Sequence, residues 1–505
     1  YYTRYEKGRE YPIYCRKKES LQNPEEVMND VNEWAEGHDY FSLTNLSVSP
    51  NNKYLAFGVD TLSRRVYTIK VKDLETGELL TDELHGTQGA VAWANDNATF
   101  FYTVKNEISL LSEHIDRHKL GTPQDADELI FYDPETPKIS PNVNVTDDGR
   151  FLFLYRSAGT YGNSLSFRDT KVFQDSWTPI VDDFNSNFWI LDHIEGQLIA
   201  QTDRNAPLKK IVRIDPSKPQ EEYWETLIAG TKEEVLSSVN LVGGKFFAHF
   251  TKDVSSVWKV YDLDGNYLYD VDLPGKGIVG GFGGKKDQMI TWYTFNNSVN
   301  PPTIYQYDIK QNISTVYKES EAKFDRENFV LKQEFYPSKD GTMIPIFIAH
   351  KKGLKMDGKR PTLLYAYGGF NVSMKPYFSK ANSILYENDG VYALANLRGG
   401  SEYGQDWHEA GMLQNKQNVF DDFIAAADYL EKSGITSPDY LAIRGGSNGG
   451  LLIGAVLNQR PDICKVAYPE VGVMDMLRYE QFTIGHAWSV EYGTVAEKDH
   501  FQNLV

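Results

Sequence analysis

Cysteine is nearly absent: Cys15 and Cys464 are the only two in 505 residues. That excludes a disulfide framework and a cysteine-based metal cluster. No apolar run approaches the ~18 residues of a membrane-spanning helix, so no membrane partner is expected. Positive charge is scarce. Lys and Arg number 52 against 70 Asp and Glu, a net charge of −18. Nucleic acid is therefore not expected as a partner, because phosphate binding needs a basic footprint. A peptide is not opposed, and a cationic one would be drawn in. No cofactor or metal is called for. Arg398-Gly399-Gly400 is glycine-rich but lacks the G-K-[ST] ending of a phosphate loop, and reads as a strand-end turn. Aromatics are abundant instead. The 32 Tyr and 26 Phe favour a β-rich half, and the length suggests two or more domains.

The first ~320 residues read as recurring β units. They start near Leu46, Ala90, Val143, Phe188, Ser238 and Ile278, and the opening "YYTRYEKGREYPIYCRKK" looks like part of a seventh. Each has short strands separated by D-G, N-N or G-G turns. One such unit cannot cover both its faces, so units stack radially and shield each other. A β-sandwich would not hold so many similar units.

The pattern changes near Phe324 to Phe329. "VLKQEFYPSKDGTMIPIFIAHKKG" predicts a hairpin around Asp340-Gly341. "TLLYAYGG", "VYALANLRGG", "YLAIRGG" and "CKVAYPEVG" predict short strands buried on both faces. Gln417 to Lys432 predicts an amphipathic helix whose apolar side is Phe420, Phe423, Ile424, Ala427, Tyr429 and Leu430. Asp421 and Asp422 are read as its solvated or capping face. Strand–helix–strand alternation means a parallel α/β sheet. Gly445-Gly446-Ser447-Asn448-Gly449 satisfies G-x-S-x-G between a predicted strand and a predicted helix over 450–458. That context turns a serine outward as a nucleophile. A glycine-rich turn with an idle serine is the bland alternative.

"YPSKDGTMIPIFIAHKKG", "LLYAYGGFNVS", "LRGGSEYGQDWHEAG", "NKQNVFDDF", "TSPDYLAIRGGSNGGLL", "NQRPD" and "VGVMDMLRYEQFTIGHAWSVEYG" together resemble the prolyl oligopeptidase family. The likeness runs from about residue 120 to Val505. The first ~115 residues look closer to oligopeptidase B, a sister family that cuts after basic residues. The resemblance implies a seven-bladed β-propeller over 1–323, its N-terminal part missing, and an α/β-hydrolase domain over 324–505 that is C-terminally truncated.

It also implies an activity: a serine endopeptidase that cuts short peptides on the carboxyl side of proline through an acyl-enzyme. Ser447 would be the nucleophile. The backbone N–H of Asn448 and the hydroxyl of Tyr367 would receive the oxyanion. Trp488 would stack on the proline ring, with Phe370, Val473, Ile484 and Tyr492 as the other walls. In this fold the triad runs Ser, Asp, His along the chain. His408 and His486 fit structural positions, so the Asp and His are expected beyond Val505, and these 505 residues alone are expected to be inactive. Cleavage after basic residues would need carboxylates in the pocket, and Glu470, Asp475, Glu480 and Glu491 are near in sequence. A non-catalytic propeller and hydrolase scaffold is the reading from another class. A monomer in the cytoplasm or periplasm is expected.

Overall fold

The short apolar strands fold back on one another at their turns and build antiparallel sheets, each added in sequence order. The structure, a computed structural model, describes residues 1–171 and 176–505. It divides into two units, Tyr1–Asn185 and Ser186–Val505. The first holds a three-stranded sheet (Tyr2–Arg4, Ile13–Lys17, Glu25–Asp30), a seven-stranded sheet from Ser42–Val48 to Glu128–Tyr132, and a four-stranded sheet from Ser140–Val145 to Thr178–Val181. The second holds three four-stranded sheets, starting at Phe188–Ile194, Val235–Val242 and Ile278–Gly281, followed by one mixed sheet.

Seven separate blades are not formed. Among the described residues there are five antiparallel sheets of four or more strands, besides the three-stranded one. The expected units at Leu46 and Ala90 merge because the strand Leu79–Trp93 belongs to both. Its first half pairs with Tyr67–Asp73, its second with Thr99–Lys105. The register shifts between the halves, where Gly86 and Gly89 take left-handed φ of 67° and 83°. A bulge there bends the strand without ending it. The merged sheet is also pinned by His118, which is fully buried between Asp82 (Nε2 to Oδ1 2.9 Å) and Asp127 (Nδ1 to Oδ1 2.7 Å).

The mixed sheet begins at Phe329. Its order is Phe329–Pro337, Met343–Lys351, Val391–Ala395, Thr362–Tyr365, Leu441–Gly446, Val466–Glu470. The first strands form the predicted antiparallel hairpin, and the last four run parallel. Leu364, Ala393 and Ile443 are fully buried, as expected of strands covered on both faces. The helix Gln417–Lys432 has the predicted bounds. It buries Val419, Phe423, Ala426, Ala427 and Leu430 in this core, while Phe420, Ile424 and Tyr429 pack at its edge. Asp422 departs from expectation: it lies inside, on Arg398, not on a solvated face. Tyr367, Ser447 and Val473 all follow the C-terminal ends of parallel strands, where such folds place their sites.

Candidate active site

The strand Leu441–Gly446 pairs parallel with Thr362–Tyr365 on one side and with Val466–Glu470 on the other. The helix Asn448–Gln459 starts immediately after it, which leaves Ser447 as the whole turn. Its backbone sits at φ 56°, ψ −117°, a left-handed region that a serine enters only when the surroundings impose it. Ser447 N donates to Glu470 O (2.9 Å), and Ser447 O accepts from Gly450 N (2.8 Å) and Leu451 N (3.1 Å). Gly445 and Gly450 are required by close approach. A Cβ on Gly445 would lie 2.2 Å from Gly449 O, and one on Gly450 would lie 2.5 Å from Glu470 O. The side chain of Ser447 ends up exposed.

Tyr367 stands at the end of the neighbouring strand. Burial pushes its hydroxyl pKa up, and the neighbouring Ser447 side chain pulls it partly back. The net rise keeps the hydroxyl a proton donor at neutral pH. Asn448 is buried and points its side chain inward. Its Nδ2 donates to Tyr367 O (2.7 Å), and its Oδ1 accepts from Lys416 Nζ (2.9 Å) and Tyr492 Oη (3.1 Å). Asn448 and Tyr367 are therefore joined side chain to backbone.

The aromatic residues gather beside this turn. Leu451, Tyr479 and Tyr492 are buried, with Phe370, Val473, Met476 and Trp488 packed on them. Phe370 meets Tyr492 edge-on at 5.4 Å, and Trp488 lies parallel to Tyr479 at 6.4 Å. Ile484 is half-buried in the turn before Gly485–Trp488 and is not part of that cluster. Sequence reasoning missed Tyr479, which contacts both Trp488 and Tyr492. The aromatic richness of "LRYEQF" was its only signal.

The four nearby carboxylates all have partners. Glu470 pairs with Arg444 (3.0 Å) and Asp475 with Arg478. Glu480 accepts from Thr494 Oγ1 (2.8 Å), and Glu491 binds His408 (2.6 Å). His408 is thus held by Glu491, and His486 Nε2 is buried without a partner. Among the described residues no histidine is hydrogen-bonded to Ser447.

A sharp strand–helix turn that exposes a serine at the end of a parallel strand is the form found in serine hydrolases of the α/β type. Comparison with known proteins narrows the class. Residues 1–320 match the family described as prolyl oligopeptidase, N-terminal beta-propeller domain, and residues 376–504 match the prolyl oligopeptidase family. The chain belongs to the prolyl oligopeptidase family. It is 43% identical over 488 residues to a prolyl endopeptidase of Elizabethkingia miricola, covering 95% of this chain and 69% of that protein. It is 37% identical over 421 residues to a prolyl endopeptidase of Dictyostelium discoideum, covering 78% of this chain and 55% of the other. A solved structure from a study of two prolyl endopeptidases superposes with a TM-score of 0.94 at 33% identity, covering 99% of this chain and 75% of that one. Oligopeptidase B of Leishmania major superposes at 0.89 with 25% identity, covering 100% and 73%.

Proposed function

We propose that Ser447 is the nucleophile of a serine endopeptidase that cuts short peptides after proline. Ser447 Oγ attacks the carbonyl carbon of the proline residue and gives its proton to a general base. The carbonyl oxygen becomes an oxyanion, received by the N–H of Asn448 and the O–H of Tyr367. Collapse expels the amine of the next residue, which takes a proton, and leaves a prolyl ester on Ser447. Water then hydrolyses that ester. Trp488, with Phe370, Val473, Ile484 and Tyr492, would receive the proline ring, since a flat aromatic face suits a rigid, nearly apolar ring. We place the propeller over 1–323 and the hydrolase domain over 324–505, and take the working unit to be a monomer.

The observation that carries this reading is the exposed Ser447 at φ 56°, next to the Tyr367 hydroxyl. Ion pairs hold Glu470, Asp475 and Glu491, which supports proline over a basic side chain; Glu480 has only the Thr494 hydroxyl and is the carboxylate a guanidinium could still meet. The test uses the complete protein with a fluorophosphonate probe and with proline- and arginine-ending reporter peptides. Labelling at Ser447 and cleavage of the proline reporter, both abolished in Ser447→Ala, are expected. Labelling that survives Ser447→Ala removes the nucleophile, absence of labelling supports a scaffold, and preference for the arginine reporter removes the specificity.

A further inference from the structure

Behind the Ser447 turn lies a buried polar network that substrate contact does not explain. Lys416 immediately precedes the helix Gln417–Lys432, and its side chain runs inward. Its Nζ donates to Gly368 O (2.8 Å) and to Asn448 Oδ1 (2.9 Å). Gly368 follows Tyr367 and Asn448 follows Ser447, so one ammonium joins the two backbone segments that bear the two oxyanion donors. Tyr492 reinforces the joint from the other side. Its hydroxyl shares Asn448 Oδ1, and its ring lies 5.7 Å from Nζ. Glu491, the residue before Tyr492, continues the network toward the aromatic cluster. Its Oε2 accepts from Phe370 N (3.1 Å), while Oε1 binds His408 Nε2 (2.6 Å).

A buried ammonium is expensive. Among the described residues no carboxylate pairs with it, and burial pushes its pKa down to about 8, with Glu491 acting the other way. For packing alone, an apolar chain of the same length would serve as well or better. The position of the charge gives it a use. It lies behind the donors, in a water-poor region where fixed charges act strongly on an oxyanion in front of them.

We infer that Lys416 is a positioning residue of the oxyanion hole, clamping the Tyr367–Gly368 segment to Asn448 through Gly368 O and Asn448 Oδ1. Glu491 does the same for Phe370, so the wall of the proline pocket and the oxyanion donors are set by one network. This rests on the reading of Ser447, Asn448 and Tyr367 given above.

The test compares Lys416→Met with the wild-type complete enzyme. Four quantities are read: kcat and KM on a proline reporter, affinity for a proline aldehyde, and affinity for a non-covalent proline-ending peptide. The aldehyde adds to a nucleophilic serine and places an oxygen in the hole. The non-covalent peptide uses only the pocket. A fall in kcat of about 100-fold, with a similar loss of aldehyde affinity, is expected, while KM and peptide affinity stay within about threefold. A merely structural role would move peptide affinity and KM along with kcat, and that result overturns the inference. So does an unchanged kcat. If Lys416→Met does not fold, Lys416→Gln replaces it: it keeps a donor for one of the two oxygens but no charge, and a smaller loss, still confined to kcat and aldehyde affinity, is expected. Fluorophosphonate labelling separates the two failures. A wild-type enzyme unlabelled at Ser447 removes the underlying reading. A labelled, active wild type matched by its Lys416 variant removes only the clamp.

Discussion

Arg398 grips Asp422 inside the mixed-sheet part of the chain. Nη2 meets Oδ1 at 2.5 Å and Nε meets Oδ2 at 3.0 Å, with Asp422 fully buried. Ser338 Oγ donates to the same carboxylate (2.5 Å), and Arg398 Nη1 reaches Asp340 Oδ2 (2.5 Å). One guanidinium thus ties the turn after Val391–Ala395 to the hairpin at Ser338–Asp340 and to the helix Gln417–Lys432.

Removing Asp422 leaves the buried Arg398 with only the half-exposed Asp340 as counter-charge. Asp422→Ala is expected to cost about 3–5 kcal/mol. Its neighbour Asp421 faces the exposed Lys339 at 3.4 Å, and a surface pair of this kind contributes about 0–1 kcal/mol. Urea unfolding of the two variants checks the contrast. Equal shifts in midpoint would show that Arg398 and Asp422 do not stabilise the domain.

Tyr367→Phe removes one hydroxyl and leaves the ring that packs at the strand end. If that hydroxyl receives the oxyanion, kcat on a proline reporter falls about 100- to 1,000-fold while KM barely moves. Steady-state kinetics decide it. A loss confined to KM would make Tyr367 a binding residue and leave the oxyanion with Asn448 alone.

The sequence was informative where a residue's role depends on its near neighbours. The helix Gln417–Lys432 follows from its apolar period, and the Ser447 turn from its G-x-S-x-G pattern, in which Gly445 is forced by Gly449 four residues on. Contacts made far along the chain were hidden. Asp422 looks like any helix-surface acid until Arg398, 24 residues earlier, is brought against it. Lys416 is likewise ordinary until Gly368 O and Asn448 Oδ1 close on it. The blade count failed for a related reason. Repeating turn signals mark units, but the strand Leu79–Trp93 passes through Gly86 and Gly89 without ending. A glycine that bends a strand and one that ends it look alike in sequence.

Trp488 is half-buried and keeps one side of its indole against the Tyr479 cluster. If it stacks on the substrate proline, Trp488→Ala removes that surface. Side-chain burial of this size is worth roughly 1.5–3 kcal/mol, so kcat/KM on a proline reporter is expected to fall about 10- to 100-fold. An alanine reporter, with little side chain to stack, is expected to lose much less. The ratio of the two measures the stacking itself. Equal losses on both reporters would place Trp488 in the scaffold and not in the pocket.

Glu402 gives a stability prediction with a definite sign. Its side chain is buried. Oε1 accepts from Met374 N (2.8 Å) and Asn396 Nδ2 (3.1 Å), whereas Oε2 has no partner. Burial pushes its pKa from 4.5 up to about 7. Between those values the folded chain holds a proton that the unfolded chain has released. Stability from this group is therefore fully present below pH 4.5, declines as pH rises toward 7, and is flat beyond. Glu402→Gln is neutral at every pH and keeps an oxygen for Met374 and Asn396. At pH 8 it is expected to be more stable than wild type by on the order of 3 kcal/mol, and near pH 4.5 the difference is expected to vanish. Urea midpoints at the two pH values test this directly. A difference that stays constant with pH would mean that burial does not raise the Glu402 pKa above its unfolded value.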